Sequence, residues 1–185
     1  MGILQAIIIA IVEGLTEYLP ISSTAHMGFV AALMGMEESE YLKMFQISIQ
    51  FGAILAVVVL YWKKFFDFSN LTFYTKLIIA VIPALVLGFL FDDQIEAVLG
   101  NQIAISSVLI LGGVVLIFID RWFTNPKYTD EKQISNKTAF LIGFWQCLAM
   151  MPGTSRSAVS IIGGMVQGLS RKAAAEFSFF LAVPT

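Results

Sequence analysis

Two short polar stretches stand out in this chain, because the segments on either side of each are strongly apolar. The first, EGLTEYLPISSTAH at residues 13–26, holds two carboxylates, a proline, three consecutive hydroxyl residues and the only histidine. Glu13 and Glu17 are four residues apart, so that on a helix they lie on one face about one turn from each other. In a poorly hydrated place the ionisation of both carboxylates is unfavourable, so that one of them keeps its proton or a cation bridges the two. The alternative is a structural pair at a helix end exposed to water.

The hydroxyl residues of this stretch follow Pro20, and His26 comes three positions after Ser23. If a helix begins here, its free N–H groups and its dipole favour an anion, which makes Ser22 and Thr24 candidate substrate contacts. A hydroxyl beside an imidazole is also the pairing expected of an activated nucleophile. An N-cap serine with a packed histidine is an equally good interpretation of the cluster taken alone.

The second polar stretch, PGTSRSAVSIIGG from residue 152, also opens with a proline and a hydroxyl-rich turn. Its Gly153, Thr154, Ser155 and Ser157 are candidate substrate contacts, since a turn that opens a helix presents N–H and O–H donors. Arg156 is one of only three arginines, and the only one deep in an apolar region. A guanidinium at a helix start is suited to hold phosphate; the alternative is a structural ion pair with a carboxylate of the first stretch.

Charges in these stretches would be expensive if they lay unpaired inside a membrane. Each costs about 2.5–3.5 kcal/mol at mid-membrane, so Glu13, Glu17 and Arg156 together would cost on the order of 8–10 kcal/mol. That is comparable with the stability of a whole domain. We therefore expect the two stretches to meet in one buried, water-accessible site, suited to a phosphorylated ligand with a lipid tail.

The composition indicates what surrounds this site. Of the 185 residues, 58% are hydrophobic and 13% charged, which is typical of an integral membrane protein. Met44–Trp62, Phe73–Phe91 and Ile103–Ile119 approach the length of about 20 apolar residues that a spanning helix needs. Gln46, Ser48 and Gln50 form a polar stripe on the first of these, with Gln46 and Gln50 on one face. We expect helix–helix hydrogen bonds from these residues first and substrate contacts second, with Gln46 as the candidate contact. No nucleic-acid-binding patch, nucleotide-binding motif or zinc-ligand cluster is present, so no nucleic acid partner is expected.

The chain also contains a weak internal repeat. LPISSTAHMG and MPGTSRSAVS lie about 130 residues apart, and FQISIQFGAILAV and EFSFFLAVPT repeat at a similar offset. The segments after the two polar stretches are opposite in charge, which predicts copies of inverted topology whose broken helices meet near the bilayer midplane. The division expected is one membrane domain, 1–185, with a first repeat and its trailing spans at 1–119, a loop at 120–138 and a partial, truncated second repeat at 139–185. Lys63, Lys64 and Lys76 flank one loop, and the segment 121–137, two spans later, is also basic. Because basic loops face the cytoplasm, we expect both to lie on the cytoplasmic side of the membrane.

EGLTEYLPISSTAH followed by PGTSRSAVSIIGGM closely resembles the two signature regions of the bacterial undecaprenyl pyrophosphate phosphatase family, also known for bacitracin resistance. The likeness extends through FQISIQFGAILAVVVLYW and AAAEFSFFLAVP. The resemblance implies an all-α, polytopic enzyme of the bacterial plasma membrane, with inverted repeats and two re-entrant helical hairpins. It would hydrolyse undecaprenyl pyrophosphate to undecaprenyl phosphate and inorganic phosphate, which recycles the lipid carrier for cell-wall synthesis.

The resemblance also implies roles for single residues. The acidic motif maps onto Glu13 and Glu17, the hydroxyl–histidine pair onto Ser23 and His26, and the phosphate-binding arginine onto Arg156. A divalent cation, Mg²⁺ or Ca²⁺, is expected on the two glutamates, in a site open to the extracytoplasmic side. The nucleophile stays open among Ser23 with His26 as its base, His26 itself, and a water molecule. The oligomeric state is open too, a homodimer included.

Two other classes of protein compete with this interpretation. A transporter or flippase for a polyprenyl phosphate lipid would share inverted repeats and midplane broken helices, but it has less need of a hydroxyl–imidazole pair. A non-catalytic membrane scaffold would use its charges only to pair helices. In that case loss of Arg156 would reduce folding and leave no specific activity to lose.

Overall fold

The structure is a computed structural model that describes residues 1–91, 93–95 and 102–185, and the predicted all-α class is confirmed over these residues. This part of the chain has no β-strand, only an isolated bridge between Tyr128 and Leu169. The helices are α1 (Ile3–Thr16), α2 (Ser23–Leu33), α3 (Glu40–Leu60), α4 (Trp62–Phe65), α5 (Leu71–Leu90), α6 (Gln102–Trp122), α7 (Asn136–Gln146), α8 (Arg156–Val166) and α9 (Arg171–Leu181).

Three helices have the length of a membrane span. With 21 and 20 residues, α3 and α5 are long and apolar enough to cross a membrane, at about 30 Å each. The 21-residue α6 contains a further apolar segment. Their outward faces are apolar: Val59 is 72% exposed, Phe89 87% and Ile103 80%, as lipid-facing side chains would be. The three spanning segments predicted from the sequence coincide with these helices.

Each polar stretch separates two short helices that pack against each other, α1 on α2 and α7 on α8. Their lengths of 14, 11, 11 and 11 residues correspond to about 16–21 Å, less than a hydrocarbon core. The chain turns after Thr16 around Pro20, and after α7 through a 3₁₀ turn at Cys147–Met150 that precedes Pro152. Ser155 then caps α8 by accepting a hydrogen bond from the Ala158 N–H.

The larger buried core joins α5, α7, α8 and α9. Gly143 makes the closest approach: a Cβ built there would lie 2.0 Å from the Ala80 carbonyl oxygen, so that α7 and α5 touch backbone to backbone. A smaller cluster of Ile9, Met27, Ala31 and Leu42 holds α1, α2 and α3 together. The two helical hairpins, α1–α2 and α7–α8, therefore pack on separate buried apolar clusters.

The connection from α6 to α7 spans residues 123–135, shorter than the 120–138 expected, because both helices continue beyond the predicted limits. It is tied to the lysines before and within α5. Lys64 Nζ forms an ion pair with Glu131, and Lys76 Nζ donates to the Lys132 carbonyl at 2.9 Å. The two basic segments predicted to share one side of the membrane thus lie at the same end of the molecule.

Candidate active site

The two polar stretches meet through an ion pair between their charged groups. Arg156, the first residue of α8, donates from a guanidinium nitrogen to Glu17 Oε1 at 2.6 Å, across 139 residues of sequence. Only 22% of the arginine side chain and 9% of the glutamate side chain are exposed. An ion pair this sheltered compensates both charges, as the cost of burying them demands.

Glu17 also binds the first residue of α2. The Ser23 hydroxyl donates to Glu17 Oε2 at 2.5 Å, so that one carboxylate joins a guanidinium and a hydroxyl. A hydroxyl that donates to a carboxylate in this way has an acceptor to which its proton can pass. The network Arg156–Glu17–Ser23 is the central feature of the site.

Glu13 lies one turn before Glu17 on α1 and is 1% exposed. Its backbone carbonyl accepts the Glu17 N–H at 2.9 Å, but neither of its carboxylate oxygens has a hydrogen-bond partner among the described residues. A buried carboxylate in that condition needs a proton or a cation. The described residues hold no cluster of three or more His, Cys, Asp or Glu side chains around a common point, so a cation here would complete its ligands from hydroxyls, water or substrate oxygens.

His26 does not pair with Ser23 as the spacing suggested. Its ring Nδ1 donates to the Ser22 backbone carbonyl at 2.9 Å, and its ring lies edge-on to Phe29 with 6.3 Å between centroids. The Ser23 hydroxyl is turned to Glu17 instead. The structure therefore joins Glu17, Ser23 and Arg156 by direct contacts, with Glu13 one turn before Glu17 on α1, and leaves the imidazole bonded to the Ser22 carbonyl.

A polar cavity of about 270 Å³ opens beside the Arg156–Glu17–Ser23 network. Of the predicted substrate contacts, five line it, and Gly153 and Gln46 do not. The polar residues of its lining are Glu17, Ser22, Ser23, Thr24, Gln50, Thr154, Ser155, Arg156, Ser157 and Thr185.

The hydroxyls of the second stretch link the hairpins. Ser155 and Ser157 hydroxyls lie 3.0 Å apart, and Ser157 Oγ donates to the Leu19 carbonyl at 2.9 Å, which ties α8 to the turn after α1. Gly153 has a structural role: at φ +85° it sits where a Cβ would approach the Ile105 carbonyl oxygen to 2.5 Å. Only glycine fits that turn without strain.

Gln50 belongs to the polar stripe predicted on α3, although the candidate substrate contact named there was Gln46. It donates from Nε2 to Thr24 Oγ1 at 3.0 Å and lines the polar cavity, whereas the predicted contact Gln46 lies one turn earlier on α3 and is half-buried outside the lining. The signal in the sequence was the shared helix face of the two glutamines. Which glutamine reaches the cavity depends on the height along α3 at which the turn around Pro20 packs against this helix.

A second cavity, about 990 Å³ and mainly apolar, adjoins the polar one. The two share Thr154 and Ser155, and the apolar wall includes His26, Phe29 and Trp145. Along α6 the wall continues over residues 106–122. The combination can hold an amphiphile, with its polar end beside Arg156 and its apolar part along α6 and α8.

The sequence of the chain is similar to those of known proteins. The sequence model of the family described as bacitracin resistance protein BacA matches residues 6–185. A protein of Flavobacterium johnsoniae named undecaprenyl-diphosphatase is 52% identical over 186 residues, covering 100% of this chain and 69% of the relative. Proteins of the same name from Porphyromonas gingivalis and Aquifex aeolicus are 50% and 45% identical, with 100% and 98% of this chain and 71% of each relative covered.

Proposed function

The chain belongs to the family of bacitracin resistance protein BacA, and from this membership we propose that it hydrolyses undecaprenyl diphosphate. The products are undecaprenyl phosphate and inorganic phosphate, which returns the lipid carrier to cell-wall synthesis. Relatives named undecaprenyl-diphosphatase share about half of its residues over the full chain. The enzyme is a hydrolase embedded in a membrane by its apolar helices.

The observation that carries this function is the Arg156–Glu17–Ser23 network at the edge of a hydroxyl-lined cavity. Hydrolysis of a diphosphate needs a positively charged side chain, hydrogen-bond donors and an acceptor for a proton. The cavity offers all three in Arg156, its hydroxyl residues and Glu17. Catalysis of phosphoryl transfer is mainly positioning and charge stabilisation, so the groups of one small cavity suffice.

Substrate binding exchanges partners around Arg156. In the structure Glu17 holds the guanidinium, and the terminal phosphate, with more negative charge and three oxygens, displaces that carboxylate. Glu17 is then free to act as base for Ser23. The oxygen of Ser23 attacks the terminal phosphorus, its proton passes to Glu17, and the bond from phosphorus to the bridging oxygen breaks. Undecaprenyl phosphate leaves, and water then hydrolyses the phosphoserine to release inorganic phosphate.

The unpartnered carboxylate of Glu13 supports a role for a divalent cation. Its two buried oxygens are hard ligands of the kind that Mg²⁺ and Ca²⁺ prefer, and Glu17 could add an oxygen once Arg156 turns to the phosphate. A bound cation would supply further neutralisation of the phosphate charge. Its remaining ligands would be the Ser22 or Ser23 hydroxyls and water.

The prenyl chain is assigned to the apolar cavity. Because Thr154 and Ser155 border both cavities, a diphosphate beside Arg156 leads directly to a tail along α6. The diphosphate would then contact only the polar cavity, and the prenyl chain only the apolar one. Length and composition of this wall suit a long hydrocarbon chain.

For the membrane arrangement we propose the inverted repeat, with α1–α2 and α7–α8 as re-entrant hairpins whose turns meet near the midplane. The shortness of these four helices supports this, since polar, irregular backbone at that depth must be buried in protein or line a wet cavity. The basic end with Lys64 and Lys76 faces the cytoplasm of a bacterial plasma membrane, and the site opens to the other side. One copy of the chain supplies every group used here, so a homodimer would not be needed for the chemistry.

The test is phosphate release from undecaprenyl diphosphate by the purified chain in detergent. We expect release by the parent chain, loss of roughly 10²-fold or more in Arg156→Ala, and parent-like release in Arg121→Ala, an exposed arginine at the end of α6. Equal release by Arg156→Ala and the parent would contradict the proposal. Movement of the lipid across a vesicle bilayer without phosphate release would instead favour a lipid transporter.

A further inference from the structure

We propose that His26 is a positioning residue for this reaction and not its general base: its ring N–H holds the turn that aims the Ser23 hydroxyl at Glu17. The inference rests on the proposed phosphatase function, because it assigns a role within that site. It concerns a residue that the sequence pattern and the family resemblance both place beside the nucleophile.

The Ser22 carbonyl accepts two hydrogen bonds from His26. The backbone N–H of His26 donates at 3.2 Å, as the first bond of α2, and the ring Nδ1 donates at 2.9 Å. A carbonyl oxygen carries no proton, so Nδ1 must carry the proton of this hydrogen bond. The peptide plane between Ser22 and Ser23 is therefore fixed by two donors of one residue.

The backbone torsion angles of Ser22 are strained, which explains why its carbonyl needs a second donor. Ser22 has φ 65° and ψ 88° and is the one non-glycine residue with positive φ in the described part of the chain. Such a backbone is rare for serine and persists only where neighbouring groups over-determine it. The Ser22 side chain makes no capping hydrogen bond, so the ring of His26 is the side chain that holds this backbone.

The same geometry leaves His26 badly placed as a base. The Ser23 proton is directed to Glu17 Oε2 at 2.5 Å, and the imidazole lies on the wall of the apolar cavity beside Phe29. Glu17 already occupies the position that a base must have.

The decisive variants are His26→Asn and His26→Ala. The amide of asparagine can place an N–H near the position of Nδ1, but it cannot act as a base. We expect His26→Asn to retain phosphate release from undecaprenyl diphosphate within about threefold of the parent, and His26→Ala to lose about tenfold, the value of one hydrogen bond. Loss of a general base would instead cost roughly 10²–10⁴-fold in both variants.

Two further readouts separate positioning from catalysis. The pH profile of kcat should have the same acid limb in the parent chain and in His26→Asn. In a Ser22→Gly background, His26→Ala should cost less than in the parent, because glycine adopts positive φ without strain. Gel filtration in detergent identifies any variant that fails to fold.

Equal, large losses in His26→Asn and His26→Ala, with loss of the acid limb, would overturn the proposal in favour of a base. Parent-like release by His26→Ala would overturn it as well, since the turn would then need no ring bond. Absence of release by the parent chain would refute the phosphatase function itself, and this inference with it, before any variant is compared.

Discussion

At the scale of residues, one carboxylate organises the site. Glu17 binds the guanidinium of Arg156 with one oxygen and the hydroxyl of Ser23 with the other. In the proposed mechanism, a phosphate takes the place of this carboxylate at Arg156, while the contact between Glu17 and Ser23 is kept for the proton transfer. Glu13, one turn away, has no such partner among the described residues, so the two carboxylates of one motif lie in different surroundings.

Glu13→Gln tests the cation at this scale. If Glu13 holds a divalent cation, Mg²⁺ or Ca²⁺ should raise the thermal unfolding temperature of the parent chain but not that of the variant, because a ligand stabilises only the protein that binds it. Without cation, the variant should be at least as stable as the parent, since a buried unpartnered carboxylate is removed. The measurement is thermal unfolding in detergent with cation or chelator.

Glu40→Gln is the matched control, because the Glu40 side chain is 92% exposed. It should respond to the cation as the parent does. Equal stabilisation of Glu13→Gln and the parent by either cation would exclude Glu13 as the ligand.

At the scale of elements, short helices place the reacting groups and a glycine contact supports them. α1 presents Glu13 and Glu17 on one face, and the turn around Pro20 lets α2 begin with Ser23 beside them. α8 enters from the second hairpin, tied to the Leu19 carbonyl by Ser157. Behind α8, α7 touches α5 at Gly143, so errors in helix packing there would move Arg156.

Gly143→Ala should destabilise the protein by about 1–3 kcal/mol, because the added Cβ would overlap the Ala80 carbonyl and force α7 away from α5. Gly52→Ala on α3 is the control, as a Cβ there meets nothing within 4 Å. It should leave stability unchanged or raise it by up to about 1 kcal/mol. Unfolding in detergent by heat or denaturant compares the two, and equal stability would show that the helices can separate without cost.

At the scale of the whole molecule, a sheltered ion pair joins segments that are far apart in the sequence. Lys64 binds Glu131, whose side chain is 7% exposed, and its Nζ also lies 4.1 Å from the centroid of the Phe180 ring. This joins the segment before α5, the connection 123–135 and α9. The helix α9, which packs against α8, the helix that begins with Arg156, is thus held by an ion pair at its neighbours as well as by apolar packing.

Lys64→Met should cost about 3 kcal/mol of stability, because it leaves Glu131 buried without its partner. The double variant Lys64→Met/Glu131→Gln should recover much of that loss, since the unpaired charge is then gone. Lys43→Met removes two exposed ion pairs, with Glu38 and Glu40 at 3.7 Å each, and should change stability by less than about 1 kcal/mol. A double variant as unstable as Lys64→Met would show that packing, and not the ion pair, is responsible.

Several features of this protein were determined by its sequence alone. Long apolar runs define α3, α5 and α6, because a spanning helix needs about 20 such residues in any arrangement. The cost of unpaired charge predicted that Arg156 and the glutamates must meet, and the family motifs predicted the chemistry. None of these conclusions depends on how one helix is rotated against another.

The tertiary structure decided which groups touch. Glu17 and not Glu13 holds Arg156, Gln50 and not Gln46 reaches the cavity, and Ser23 turns to Glu17 instead of His26. The first two depend on the height and rotation at which helices from distant parts of the chain pack. The third depends on the positive φ of Ser22, which serine rarely adopts and which local spacing therefore could not predict.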